Sequence, residues 1–142
     1  MSRLIHLAAA LLLLLATPFL LAMGMGASEG PTRIPEPEQN YRARVIDMEG
    51  VSVDLTNFSI DGQVFVLGNL GDGSLAVPFE KVKSIDLVKK GEAMQAHLTL
   101  HKEKPVDLNV KAALNAYGKT EYGNFRIKLG QVKSIQLLGM IK

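Results

Sequence analysis

Leu67–Val88 reads LGNLGDGSLAVPFEKVKSIDLV, and Tyr117–Leu138 reads YGKTEYGNFRIKLGQVKSIQLL. The two stretches align without a gap at an offset of 50. Gly68, Gly73, Val82, Lys83, Ser84, Ile85 and Leu87 recur as Gly118, Gly123, Val132, Lys133, Ser134, Ile135 and Leu137. Between the identities the pattern matches in kind. Leu75, Val77 and Phe79 alternate with polar or small residues, as do Phe125, Ile127 and Leu129, and a period of two is the mark of a strand with one buried face. Each copy therefore predicts a glycine-bounded turn, a half-buried strand, a one-turn connector and a short strand. Upstream a weaker match survives with a shift, Val53-Asp54-Leu55 corresponding to Val106-Asp107-Leu108.

Working outward, the other apolar runs are short and bounded by turn residues. Arg42–Met48 reads as a strand and Glu49-Gly50 as a turn. Val51, Val53 and Leu55 alternate, Asp61-Gly62 punctuates, and Val64–Leu67 is a short apolar strand before a glycine-rich loop, Gly68–Gly73. Val110–Ala116 would tolerate a helix but is too short to require one. The expectation is an all-β protein with one β repeat at 41–90 and a second at 91–142. Four or five short strands are marginal alone. The copies should thus pack as one pseudo-twofold sandwich or barrel, or as two small SH3-like barrels in contact.

The N-terminal 27 residues read as a secretory signal peptide. Arg3 is followed by an apolar run from Leu7 to Leu21, then by the small residues Ala22, Gly24, Gly26 and Ala27, which place cleavage near residues 24–27. An uncleaved apolar segment is the alternative, and would be the only route to membrane contact. Residues 28–40, SEGPTRIPEPEQN, have the composition of an extended Pro-rich linker. Cysteine is absent, which excludes disulfide staples, thiolate metal sites and a lipid-modified cysteine. The expected destination is periplasmic or secreted.

Charge is divided along the chain. Ser28–Glu80 carries three basic and nine acidic residues, and Lys81–Lys142 carries twelve basic and five acidic ones. Opposite-sign sections attract each other or a neighbouring chain.

No constellation of reactive side chains emerges, and neither an enzyme nor a cofactor is expected. His97 and His101 flank Leu98 and Leu100 in an alternating run, so they belong to a strand and stand roughly 13 Å apart, too far to share an ion. Gly118-Lys119-Thr120 copies the end of a phosphate-binding loop, but Ala113 stands where that loop needs glycine and a strand follows where it needs a helix. In each Lys-Ser-Ile sequence the lysine and serine point to opposite faces, so the serine reads as structural, its hydroxyl closing the connector onto backbone. Asp47, Glu49, Asp54, Asp61 and Asp72 are dispersed at turns and strand edges. Asn57-Phe58-Ser59 is a glycosylation sequon. Nucleic acid is disfavoured because Trp is missing and the lysines are scattered.

The signature of a glycine-bounded turn, an apolar-x-apolar-Pro-apolar strand and x-x-Val-Lys-Ser-Ile resembles tandem β repeats in exported bacterial proteins of unassigned function. It is also distantly similar to the strand and connector of SH3-like and PRC-type barrels. That resemblance implies a fold and no activity. The expected function is a non-enzymatic binding or assembly module of the cell envelope, since strand edges accept a partner strand from an envelope protein or a second copy. The alternative is recognition of an anionic cell-wall or surface polymer through Lys119, Arg126, Lys128 and Lys133. The first three replace Asn69, Ala76 and Pro78 of the first copy.

Overall fold

The computed structural model describes residues 30–142. The signal-peptide segment 1–27 lies outside the described residues, and these are nearly all β. The strands are β1 (Tyr41–Asp47), β2 (Ser52–Ile60), β3 (Phe65–Leu70), β4 (Gly73–Pro78), β5 (Val82–Lys90), β6 (Ala93–Leu100), β7 (Val106–Val110), β8 (Asn115–Lys119), β9 (Asn124–Lys128) and β10 (Val132–Met140). One-turn 3-10 segments, Phe79–Lys81 and Leu129–Gln131, lead into β5 and β10. All ten strands join one antiparallel sheet in the order β4-β3-β7-β6-β5-β10-β1-β2-β8-β9, curled into a half-barrel.

That order reads alike from both ends when β4 is set against β9, β3 against β8, β7 against β2, β6 against β1, and β5 against β10. At its centre Ile85 pairs with Ile135, the same position of the two aligned stretches. The hairpin β1–β2 lies between β10 and β8, while β6–β7 lies between β5 and β3. Within residues 41–90 the only ladders between strands are β1–β2 and β3–β4. Two separate small barrels are therefore not what forms. Each segment supplies two hairpins and a strand with no ladder joining them, and the pieces become a sheet only by inserting into the other segment.

The reason is burial. About 50 residues hide too little apolar surface to offset their ordering, whereas the combined sheet encloses a single core. Ala43, Val45, Leu55, Val82, Ile85, Leu98, Leu108, Val132 and Ile135 all lie in it, each almost fully buried.

Matched backbone bonds close the two connectors. Phe79 N–H donates to Val64 C=O (2.9 Å) and Leu129 N–H to Leu114 C=O (2.8 Å). His101 N–H donates to Lys81 C=O and Met48 N–H to Gln131 C=O, both at 3.0 Å. The expectation that Ser84 and Ser134 close the connectors is thus corrected, because backbone groups do so. The serines flank the central Ile85–Ile135 pair instead.

Gly68 and Gly118 were expected in turns and lie inside β3 and β8. A Cβ on Gly68 would stand 2.8 Å from both Asn109 O and Leu108 Cβ, and one on Gly118 2.7 Å from Leu55 Cβ. Close strand approach, not backbone conformation, requires these glycines. The true turn of the first hairpin is Gly71-Asp72, with Gly71 at φ +62°, as a two-residue hairpin demands. Val110–Ala116 ends β7, turns and starts β8, with no helix.

One asymmetry sits in β2. Arg44 and Asp54 match His97 and Asp107 at an offset of 53, whereas β3–β5 match β8–β10 at 50, so the first segment carries three extra residues. They fall between Thr56 and Val64, and one of them is taken up at the register shift between Thr56 and Ser59, where Asn57 has φ 48°. The bulge turns Phe58 into the core, stacked on Phe79 with centroids 5.3 Å apart. It is also the sequon, and Ser59 is fully buried there with its hydroxyl accepting from Gly62 N–H.

Candidate interaction site

The curled sheet has two ends, β4 and β9, and these are the candidate site. Hydrogen bonding alternates along a strand. Because Phe79 N–H is bonded to Val64, the backbone groups of Val77, Leu75 and Gly73 face β3, and those of Ser74, Ala76 and Pro78 face away from the sheet. The same argument from Leu129 leaves Asn124, Arg126 and Lys128 facing outward on β9. Pro78 lacks an N–H and sits at an outward position, where it costs no ladder bond.

The two edges differ in chemistry. From Phe65 to Pro78 the only charged side chain is Asp72, in the turn. Leu67 and Leu70 are about half exposed (50% and 52%), and Ser74, Ala76 and Pro78 are open to solvent. Asn115–Lys128 carries Lys119, Glu121, Arg126 and Lys128. Lys119, Arg126 and Lys128 share the outer face of β8–β9 with Tyr117, since Tyr117 pairs with Arg126 and Lys119 with Asn124. Lys133 is on β10, separated from β8 by β1 and β2, so the sheet does not bring it to the other three.

Residues 31–40 form bends and irregular backbone with no strand, and are laid against this second end. Glu36 Oε1 is 2.9 Å from Lys119 Nζ, and Asn124 Nδ2 donates to Thr32 C=O at 3.2 Å. Asn57 N–H donates to Asn40 Oδ1 at 2.7 Å, and Pro35 fills the space that a side chain at Gly62 would need. Lys119 is thereby engaged within the chain. No such segment covers β3–β4 among the described residues.

Charge division plays a small part in holding the body together. Of the basic and acidic side chains in contact among the described residues, Arg44–Asp54 (2.7 Å), Lys81–Glu103 (3.7 Å) and His97–Asp107 (2.6 Å) lie within one charge section. Only Glu36–Lys119 joins the two. All are at the surface, where water and salt screen such pairs and leave them little net effect on stability. Arg44–Asp54 and His97–Asp107 occupy matched cross-strand positions. The guanidinium hydrogen-bonded to Asp54 holds that carboxyl below its ordinary range. His97 lies on β6 and His101 just beyond it. Among the described residues no three His, Cys, Asp or Glu side chains are grouped to hold a metal ion.

A cavity of about 420 Å³ opens where the connector Phe79–Lys81 meets the end of β10, lined by Tyr41, Glu80, His101, Leu137 and Met140 among others. Burial, and then the charge of Glu80, push the Tyr41 hydroxyl above its ordinary pKa. Its floor is the aromatic packing of Tyr41 on Phe79, edge to face at 5.5 Å.

With this geometry in hand, residues 37–139 match the model of a protein family described as "Uncharacterised protein". The chain belongs to that family. The match spans all of the strands up to the penultimate residue of β10, and begins within the docked N-terminal segment. No curated protein and no solved structure matches the chain.

What sequence reasoning missed was the edge. The spacing of charges in the two aligned hairpins is visible in the sequence, but which strands end the sheet depends on the exchange of hairpins between segments.

Proposed function

We propose that this chain is an exported, non-enzymatic binding module, built from a duplicated unit, that accepts a partner strand along β4. The observation that carries the reading is the contrast between its free edges. Proteins guard exposed edges with charge, proline or a covering segment, because unpaired N–H and C=O groups recruit other strands. The β9 edge has two outward cations and a covering segment; β4 has a single proline at its end. An unguarded, uncharged edge flanked by exposed Leu67 and Leu70 is suited to strand addition, in which backbone bonds give affinity and side chains give selectivity.

A second reading has its own support. Lys119, Arg126 and Lys128 on one outer face would suit an anionic envelope polymer, with the segment 30–40 competing for Lys119 through Glu36.

Ala76→Pro separates these. It removes the central one of the two outward N–H groups of β4, leaving that of Ser74, without touching a bond to β3. Immobilised mature protein is incubated with an extract of its native envelope, and the retained proteins are compared with those held by Ala76→Pro. A partner held by the natural chain and released by the variant supports strand addition; identical retention by the two refutes it.

A further inference from the structure

We propose that the strand β4 accepts is β4 of a second copy, giving a two-fold dimer in which the sheet runs through both chains. This rests on the reading of β4 as a strand-accepting edge and names its partner. The argument is self-complementarity. An antiparallel pairing about an axis at Ala76 sets Ala76 against the partner's Ala76, Ser74 against the partner's Pro78, and Leu75 against the partner's Val77.

The central pairings carry the register, and the end pair tolerates a proline. Ala76 N–H and C=O face outward, so the two alanines exchange both hydrogen bonds, and Ser74 N–H meets the C=O of the partner's Pro78. The missing N–H of Pro78 falls opposite the Ser74 carbonyl and costs one bond per chain, not the register. On the inner face Leu75, half-buried at the end of the sheet, gains the partner's Val77 as a neighbour and continues the apolar lining of the half-barrel. On the outer face Leu67, Ala76, the partner's Ala76 and the partner's Leu67 form one apolar row. No side chain in the paired strands is charged.

The other combinations fail on the same criteria. Pairing β9 with itself sets Arg126 against the partner's Arg126, and directly opposed like charges are destabilising. Pairing β4 with β9 of a neighbour repeats head to tail, as a ring or a filament and not a two-fold pair, and sets the uncharged β4 against the edge that carries Arg126, Lys128 and the contact with Thr32.

The test uses the absence of cysteine. Opposed residues that exchange both hydrogen bonds have Cα atoms about 5.5 Å apart, within the roughly 4.4–6.8 Å span of a disulfide. The full mature chain carrying Ala76→Cys is oxidised gently, beside Arg126→Cys as the matched position at the other edge, and both are run without reductant. Sedimentation of the natural chain and of Ala76→Pro accompanies it. The expected result is a cross-linked dimer for Ala76→Cys, a cysteine that stays unlinked for Arg126→Cys, and a dimer that is lost in Ala76→Pro with its melting transition retained. Equal cross-linking at both positions, a natural chain that sediments as a monomer at all concentrations, or species larger than a dimer would overturn the proposal. Should the purified chain be monomeric while an envelope partner is still lost with Ala76→Pro, the two-fold pairing falls and the strand-accepting reading stands.

Discussion

The hairpins β3–β4 and β8–β9 hold matched places at opposite ends of one sheet and share little beyond their inner faces. Inward, each sets a glycine against a leucine, Gly68 on Leu108 and Gly118 on Leu55. Each then alternates apolar residues toward the core and passes into a connector whose first residue, Phe79 or Leu129, is buried. Outward, Leu67 faces Tyr117 across the comparison, Asn69 faces Lys119, Ala76 faces Arg126 and Pro78 faces Lys128. The core constrains alternate positions, and the intervening ones are free to diverge. Any difference in what the two ends do must be written in those outward residues, the docked segment 30–40 included.

The largest break in the comparison lies beneath the connectors. Phe79 stacks on Phe58 and meets Tyr41 edge to face, whereas the aliphatic Leu129 at the matched position makes no ring–ring contact. Phe79→Ala should cost about 3–5 kcal/mol and Leu129→Ala about 2–5, with about 1 kcal/mol of the difference coming from ring contacts. Urea unfolding of both variants measures it, and equal losses would mean that the Phe58 insertion adds no stability.

A smaller effect sharpens the likeness of the two ends. Gly68→Ala and Gly118→Ala should each destabilise by about 1–3 kcal/mol through overpacking. Gly68→Ala is the worse of the two, because its Cβ meets backbone oxygen. Gly73→Ala, whose Cβ would find its nearest neighbour at 3.7 Å, serves as the tolerant control in the same thermal melts.

The smallest effect is confined to alkaline pH. Tyr41 stands where the other segment has Met94, and its hydroxyl is held above the usual tyrosine pKa by burial and then by Glu80. Ionisation is therefore easier in the unfolded chain. Stability from this group is complete below about pH 10, the ordinary tyrosine value, and is lost as pH rises toward the folded pKa. Absorbance titration should show one late tyrosine that disappears in Tyr41→Phe, and that variant should lose less stability above pH 10 than the natural chain. A Tyr41→Phe curve parallel to that of the natural chain would contradict the assignment.

Much of the local structure was legible. The alternation of Leu75, Val77 and Phe79, and of Phe125, Ile127 and Leu129, identified strands because side chains on a pleated ribbon alternate between faces. Asp61-Gly62 marked a turn, and the Gly68–Gly73 loop read from the sequence narrows to a turn at Gly71-Asp72, with positive φ at Asp61, Gly62 and Gly71. Gly68 and Gly118 misled for a physical reason. The identity of a residue does not say whether a missing Cβ serves a turn or a neighbouring leucine, and here the neighbour decides. The candidate cations were half legible. Alternation places Lys119, Arg126 and Lys128 on one face once β8–β9 is a hairpin, but the distance to Lys133 depends on the two strands inserted between β8 and β10.

By itself, then, the sequence determined what depends on neighbours along the chain: the all-β class, most strands and turns, and two stretches that match at an offset of 50. Tertiary structure decided what depends on pairing between distant segments. Matching strand patterns in 41–90 and 91–142 leave the choice of neighbours open, and the single shared core, with Ile85 paired to Ile135 at its centre, goes with the exchanged arrangement that leaves β4 and β9 as the ends.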